Sequence, residues 1–136
     1  LDRPVEEMGL QDTVYPLGYR HEDYEEVLAM CDAGLMLVPG SDGSCRAAMQ
    51  MCSMAKPMVV AQRGVLPDIV QDGTTGIVAR LTGEGLADGM LTLAEMSAEE
   101  RAAWGWAGRK RLERWFSLER QVETVISVYE SLVGAK

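Results

Sequence analysis

The residues of this chain best suited to chemistry lie between Val38 and Val60, in the run V-P-G-S-D-G-S-C-R-A-A-M-Q-M-C-S-M-A-K-P-M-V-V. Gly43, Ser44 and Cys45 are small residues ahead of a helix-compatible segment. Backbone N–H groups at such a helix start attract an anion, and small side chains let it approach closely. Arg46 adds a positive charge beside them. Asp42 offers a carboxylate that accepts hydroxyl groups, and Gln50 an amide oxygen two turns further on. Eight residues separate the two, so on one continuous helix they share nearly one face. The ligand these groups suit carries both negative charge and hydroxyls. Blander roles stand beside these. Asp42 also suits a turn or a helix N-cap, and Gln50 a solvated helix face. Gly43 and Gly64 suit positions needing unusual backbone angles. Cys45 suits either a small packing site or a reactive thiol at a helix start.

Positioning these groups requires a strand before the loop and another after the helix. Gly34 to Val38 is an apolar run stopped by Pro39, and Met58 to Ala61 is apolar again after Pro57. The pattern therefore predicts strand, small-residue loop, helix and strand. Upstream, Leu1 to Leu10 reads as the end of a helix, and Thr13 to Gly18 as a short strand. Asp23 caps a predicted helix from Tyr24 to Cys31. Downstream, Leu66 to Val70 is one turn of helix, Asp72 to Gly76 a turn, and Ile77 to Ala79 a strand. Leu86 to Ala94 repeats apolar residues at helical spacing. Ser97-x-x-Glu100 is a capping box opening a helix to about Trp115, and Ser117 starts a last helix reaching Val133. Alternating elements with continuously apolar strands predict an α/β domain, a Rossmann-like parallel sheet with flanking helices. About four strands are visible, fewer than a doubly wound domain usually has, so its first strands are expected to be absent. The expected organisation is one N-terminally truncated domain over 1–136, with the sheet in about 13–80 and C-terminal helices in about 86–133.

Composition excludes several classes. The chain has 136 residues, 13 Lys+Arg against 21 Asp+Glu and a net charge of -8, with no basic stripe. Nucleic-acid binding by phosphate neutralisation is therefore not expected. Three cysteines with neither C-x-x-C nor a His cluster argue against zinc and disulfides, and for free thiols in a reducing cytoplasm. No apolar run is long enough to span a bilayer, and there is no signal-peptide pattern, so the expected location is cytoplasmic. The single histidine, His21, reads as a surface residue, and Met49, Met51, Met54 and Met58 as core filler. Trp104, Trp106 and Trp115 read as packing anchors. The basic cluster Arg109, Lys110, Arg111 and Arg114 fits a helix C-terminus or an anionic surface.

These residues resemble the nucleotide-sugar-binding half of glycosyltransferase family 4, retaining enzymes built from two facing Rossmann-like domains, the GT-B fold. That family's signature reads P-S-x-x-E-G-F-G-x-x-x-x-E-A-M-A-x-G-x-P-V-V. Pro39 and Pro57 match its prolines, and Asp42-Gly43 stands for Glu-Gly. Ser44-Cys45 replaces Phe-Gly, Gln50 the second Glu, and Ala55 the late Gly. Val14 to Gly18 is similar to the family's V-x-F-L-G strand, and Asp23 to Asp32 to its D-x8-D helix. Gly64 to Val70 resembles G-x-x-P-E-I-V, Asp72 to Gly76 resembles D-G-x-x-G, and Phe116-Ser117 the F-S/T helix restart. The likeness runs through about 5–133.

The resemblance implies that Asp42 contacts the donor sugar in a catalytic role and Gln50 the ribose. It implies that Gly43, Ser44, Cys45 and Arg46 meet the diphosphate, and that Tyr19 and Arg20 contact the base. It implies sugar transfer from a nucleoside-diphosphate sugar to an acceptor hydroxyl with retention, with neither metal nor cofactor. The partner implied is an N-terminal acceptor domain. The chain alone is expected to be inactive and to self-associate, and any membrane association to belong to the full-length protein. Replacing a carboxylate by Gln50 weakens the ribose contact by about 1 kcal/mol. That substitution keeps a non-catalytic nucleotide-binding or scaffolding domain open as an alternative. A sugar-nucleotide epimerase of related fold is another.

Overall fold

The structure is a computed structural model that describes residues 2–37 and 45–134. The chain divides into two compact units, Leu1–Met30 and Cys31–Lys136. The first carries helices α1 (Asp2–Glu7) and α2 (Tyr24–Met30). The expected strand over Thr13 to Gly18 does not form, and no strand occurs among the described residues of this unit. A strand needs a paired edge to satisfy its backbone and cover its side chains. Here Tyr15 and Leu17 stand 68% and 56% exposed.

The second unit follows the predicted alternation: β1 (Gly34–Met36), α3 (Arg46–Ser53), β2 (Met58–Ala61), α4 (Leu66–Ile69), β3 (Gly76–Ala79), α5 (Gly83–Glu95), α6 (Ala98–Trp115) and α7 (Leu118–Val133). The three strands form one parallel sheet in the order β1-β2-β3. Leu35 pairs with Val59, and Val59 with Ile77. All four residues of β2 are buried, as a central parallel strand covered on both faces requires. Around it the core gathers Ala48, Cys52, Leu66, Ile69, Val70 and Leu93. Three strands are found among the described residues, one fewer than expected, because the Thr13–Gly18 run stays unpaired.

Local chemistry sets the helix boundaries. Thr82 and Ser117 cap α5 and α7, accepting from the N–H groups of Gly85 and Arg120. Ser97 and Glu100 form both bonds of the capping box: Ser97 Oγ accepts from Glu100 N at 3.2 Å, and Glu100 Oε2 from Ser97 N at 2.8 Å. At the end of α3, Lys56 N donates to Met51 O and Ala55 N to Cys52 O, the paired hydrogen bonds of a Schellman turn. The left-handed residue there is Ala55, φ 54°, where a glycine is the usual choice.

α6 lies against α3 by having no side chain at the contact. A Cβ built on Gly105 would sit 1.8 Å from the Ala55 carbonyl oxygen. Of the three tryptophans only Trp104 packs on the core cluster of Val59, Ala79 and Leu93. Trp106 and Trp115 are 55% and 44% exposed, so the packing role expected of all three holds for one. The basic cluster is put to structural use. Arg109 pairs with Glu113, Arg111 donates from Nη2 to the Asp68 carbonyl at 2.8 Å, and Arg114 covers the Trp115 ring. α7 has no buried residue, and it presents Leu118, Val122, Val125, Ile126, Tyr129 and Leu132 to solvent.

Candidate functional site

Asp42, Gly43 and Ser44 lie outside the described residues. The part of the shared-face expectation that concerns Asp42 lies there too. What is described begins at Cys45, the residue before α3. Its backbone is left-handed, φ 53° and ψ 39°, and its side chain is 1% exposed. A non-glycine residue in that region costs on the order of 1 kcal/mol and persists only where its surroundings hold it. The Cys45 carbonyl accepts from Ala48 N at 2.9 Å and Met49 N at 3.2 Å, locking the first turn. Burial of Cys45 favours the packing role over the reactive thiol.

Arg46 is the first residue of α3, and it is exposed. Gln50 lies one turn on and half-buried, so the two share a helical face at the positively polarised end. α3 is held there from behind by Ala48, Met51 and Cys52, which face the core. Burial pushes the Cys52 thiol up to about 11, so it stays protonated and inert.

Tyr19, Arg20 and His21 belong to the first unit. Tyr19 is 87% exposed and meets His21 edge-on at 4.7 Å between ring centroids. The Arg20 guanidinium is bound to both carboxylate oxygens of Asp23, with Nε to Oδ1 at 2.8 Å. Its charge is therefore already matched. His21 is exposed, as expected.

The structure adds a feature that the motif does not contain. The N-terminal half of α3 faces the α6–α7 junction across an open cleft of about 630 Å3, lined by Arg46, Met49, Trp115, Phe116, Ser117, Arg120, Gln121, Thr124 and Val125. Arg120 covers the Trp115 ring at 4.4 Å and Arg114 at 5.0 Å. The signal that could have pointed here is the Phe116-Ser117 restart, since a break between two helices turns the side chains after it toward a new neighbour. A smaller recess, about 350 Å3, borders Gly34, Val59, Leu93 and Arg101. Its one cation, Arg101, is held by the carbonyls of Leu93 and Met96. Among the described residues there is no cluster of three metal-ligating side chains, and no helix is long and apolar enough to cross a membrane.

The family model for glycosyl transferases group 1 matches residues 1–96. Among solved structures, a sucrose-phosphate synthase from Thermosynechococcus elongatus superposes with a TM-score of 0.76 at 22% identity, covering 99% of this chain and 34% of its own. Anabaena HepE, solved in complex with UDP and glucose, superposes with a TM-score of 0.76 at 20% identity, covering 96% of this chain and 35% of its own. The chain thus has the GT-B glycosyltransferase fold over about a third of the length of these proteins. No curated protein matches it significantly.

Proposed function

Since this chain belongs to the group 1 glycosyl transferases, we propose that it is the donor-binding part of an enzyme that transfers a sugar from a nucleoside-diphosphate sugar to an acceptor hydroxyl with retention. The observation that carries this reading is the β1–α3–β2 unit, two parallel neighbours joined through a helix whose first turn carries Arg46 and whose second carries Gln50. In such sheets ligands bind beyond the carboxyl ends of the strands, where helix N-termini converge. The diphosphate lies against the backbone N–H groups of Gly43, Ser44 and Cys45 with Arg46 beside it. Gln50 accepts from the ribose, Asp42 from the sugar, and Tyr19 and Arg20 meet the base. Arg20 must first release Asp23, an exposed pair worth under about 1 kcal/mol.

Catalysis in this reading is electrostatic. As the sugar–phosphate bond breaks, charge grows on the leaving diphosphate, and fixed dipoles and guanidinium charge stabilise it without reorganising. No metal is required. The transferred group is a hexose, and the setting is a cytoplasmic enzyme of polysaccharide assembly. The acceptor is supplied by a second, N-terminal domain, so the chain alone binds donor weakly and turns nothing over. Through the exposed apolar face of α7 the isolated chain self-associates. Any membrane attachment belongs to the full-length protein.

The test is an amide NMR titration with UDP, GDP and ADP in turn. UDP comes first because HepE was solved with it. Shifts clustered at Gly43 to Arg46, Gln50 and Tyr19-Arg20 with one nucleotide are expected. An unperturbed spectrum at millimolar ligand refutes donor binding by this chain.

A further inference from the structure

We infer that the cleft between α3 and α7 binds a phosphate-bearing anion, with Arg46 and Arg120 as the cations on its two walls. The inference takes its ligand class from the donor reading; the site itself rests on how charge is distributed over the structure. The chain carries 21 acidic residues against 13 basic ones, yet among the described residues this cleft is lined by two arginines and no carboxylate. α7 sorts its side chains accordingly. At about 100° per residue, Arg120, Gln121 and Thr124 fall on the flank facing the cleft, and Glu119, Glu123 and Glu130 on the opposite one. The ion pairs among the described residues are Arg3–Glu7, Arg20–Asp23 and Arg109–Glu113, so neither cleft arginine has a carboxylate partner there.

Two hydroxyls of the cleft also bond within α7. Ser117 Oγ accepts from Arg120 N at 3.2 Å, and Thr124 Oγ1 donates to the Arg120 carbonyl at 2.8 Å. The Ser117 hydroxyl, the Trp115 indole N–H and Gln121 add neutral donors, but the charged donors of the cleft are the two guanidiniums, and their charge favours an anion over a neutral sugar. Arg120 is also restrained by stacking on Trp115. Stacking uses the face of a guanidinium and leaves its edge N–H groups for an acceptor, the arrangement suited to phosphate. A volume of about 630 Å3 accommodates a phosphorylated small molecule.

The whole chain is titrated with sodium pyrophosphate and, separately, with UDP, at low and high salt. Saturable pyrophosphate binding is expected, weakened by salt and visible as a shift of the Trp115 indole resonance. Arg46→Ala and Arg120→Ala each weaken it about tenfold, Arg120→Lys by less, and Arg109→Ala leaves it unchanged. Displacement of pyrophosphate by UDP identifies the anion as the donor's own diphosphate. Simultaneous binding identifies it as the phosphate of a second ligand. Pyrophosphate affinity insensitive to Arg120→Ala, with circular dichroism unchanged, overturns the inference and leaves the donor reading intact. UDP binding that depends on Gln50 without any pyrophosphate binding does the same. Binding of neither ligand overturns both.

Discussion

Gly105 and Gly108 sit one turn apart on α6 and are both buried, yet they should respond oppositely to a methyl group. At Gly105 the added Cβ would lie 1.8 Å from the Ala55 carbonyl oxygen and 2.6 Å from its carbon, whereas carbon and oxygen pack at about 3.3 Å. Relieving that overlap means moving α6 or the α3 turn by roughly 1.5 Å through close-packed surroundings. Overpacking of this size costs about 3 kcal/mol, and the better helix propensity of alanine returns about 1, so Gly105→Ala should lose about 2 kcal/mol. At Gly108 the nearest atom, Thr75 Cβ, is 3.6 Å away, an ordinary contact. Gly108→Ala should therefore gain up to about 1 kcal/mol from helix propensity alone. Urea denaturation followed by circular dichroism reads both, and in thermal melts a 136-residue chain shifts by about 4 °C per kcal/mol. Because the Ala55 turn ends the helix carrying Arg46 and Gln50, Gly105→Ala should also weaken UDP binding. A Gly105→Ala protein as stable as the parent refutes the argument from close backbone approach.

Four further outcomes follow from the same geometry. Ala55→Gly should stabilise by about 1 kcal/mol, since glycine adopts the left-handed Schellman position without strain; an unchanged denaturation midpoint counts against that account. Gln50→Glu should tighten UDP binding about five- to tenfold by restoring a carboxylate to the ribose contact, read by calorimetry. Hydrogen bonds from the Ser97 N–H and hydroxyl hold the Glu100 carboxyl below its usual range. Its folded pKa being depressed, the charged form's contribution is complete above the unfolded value near 4.3 and fades as pH falls through the folded value, so the stability gap between the parent and Glu100→Gln should close in acid melts. Native alkylation at pH 8 should label Cys31 ahead of the buried Cys45 and Cys52, all three reacting once urea unfolds the chain; rapid labelling of Cys52 contradicts its raised pKa.

Whatever depends on neighbours a few residues away can be read from the order of the residues. The Ser97–Glu100 capping box, the Ser117 restart and the apolar runs of β1, β2 and β3 are local, and the structure forms each. The alternation of these elements already implied a parallel sheet, because parallel neighbours need a crossover between them. The motif around Arg46 and Gln50 was legible for the same reason, as spacing along one helix. What depends on partners distant in the chain emerges with the packed fold. Thr13 to Gly18 has the composition of a strand, but strand formation requires an edge to pair with, and composition does not report whether one is there. Cys45 and Ala55 adopt left-handed backbone because the packed ends of α3 hold them, against their own preference. Gly105 meets Ala55 across fifty residues, and Arg120 meets the cleft opposite Arg46 across more than seventy. Local periodicity places a residue on a helix face; which face of another helix it then meets is set by packing of the whole core.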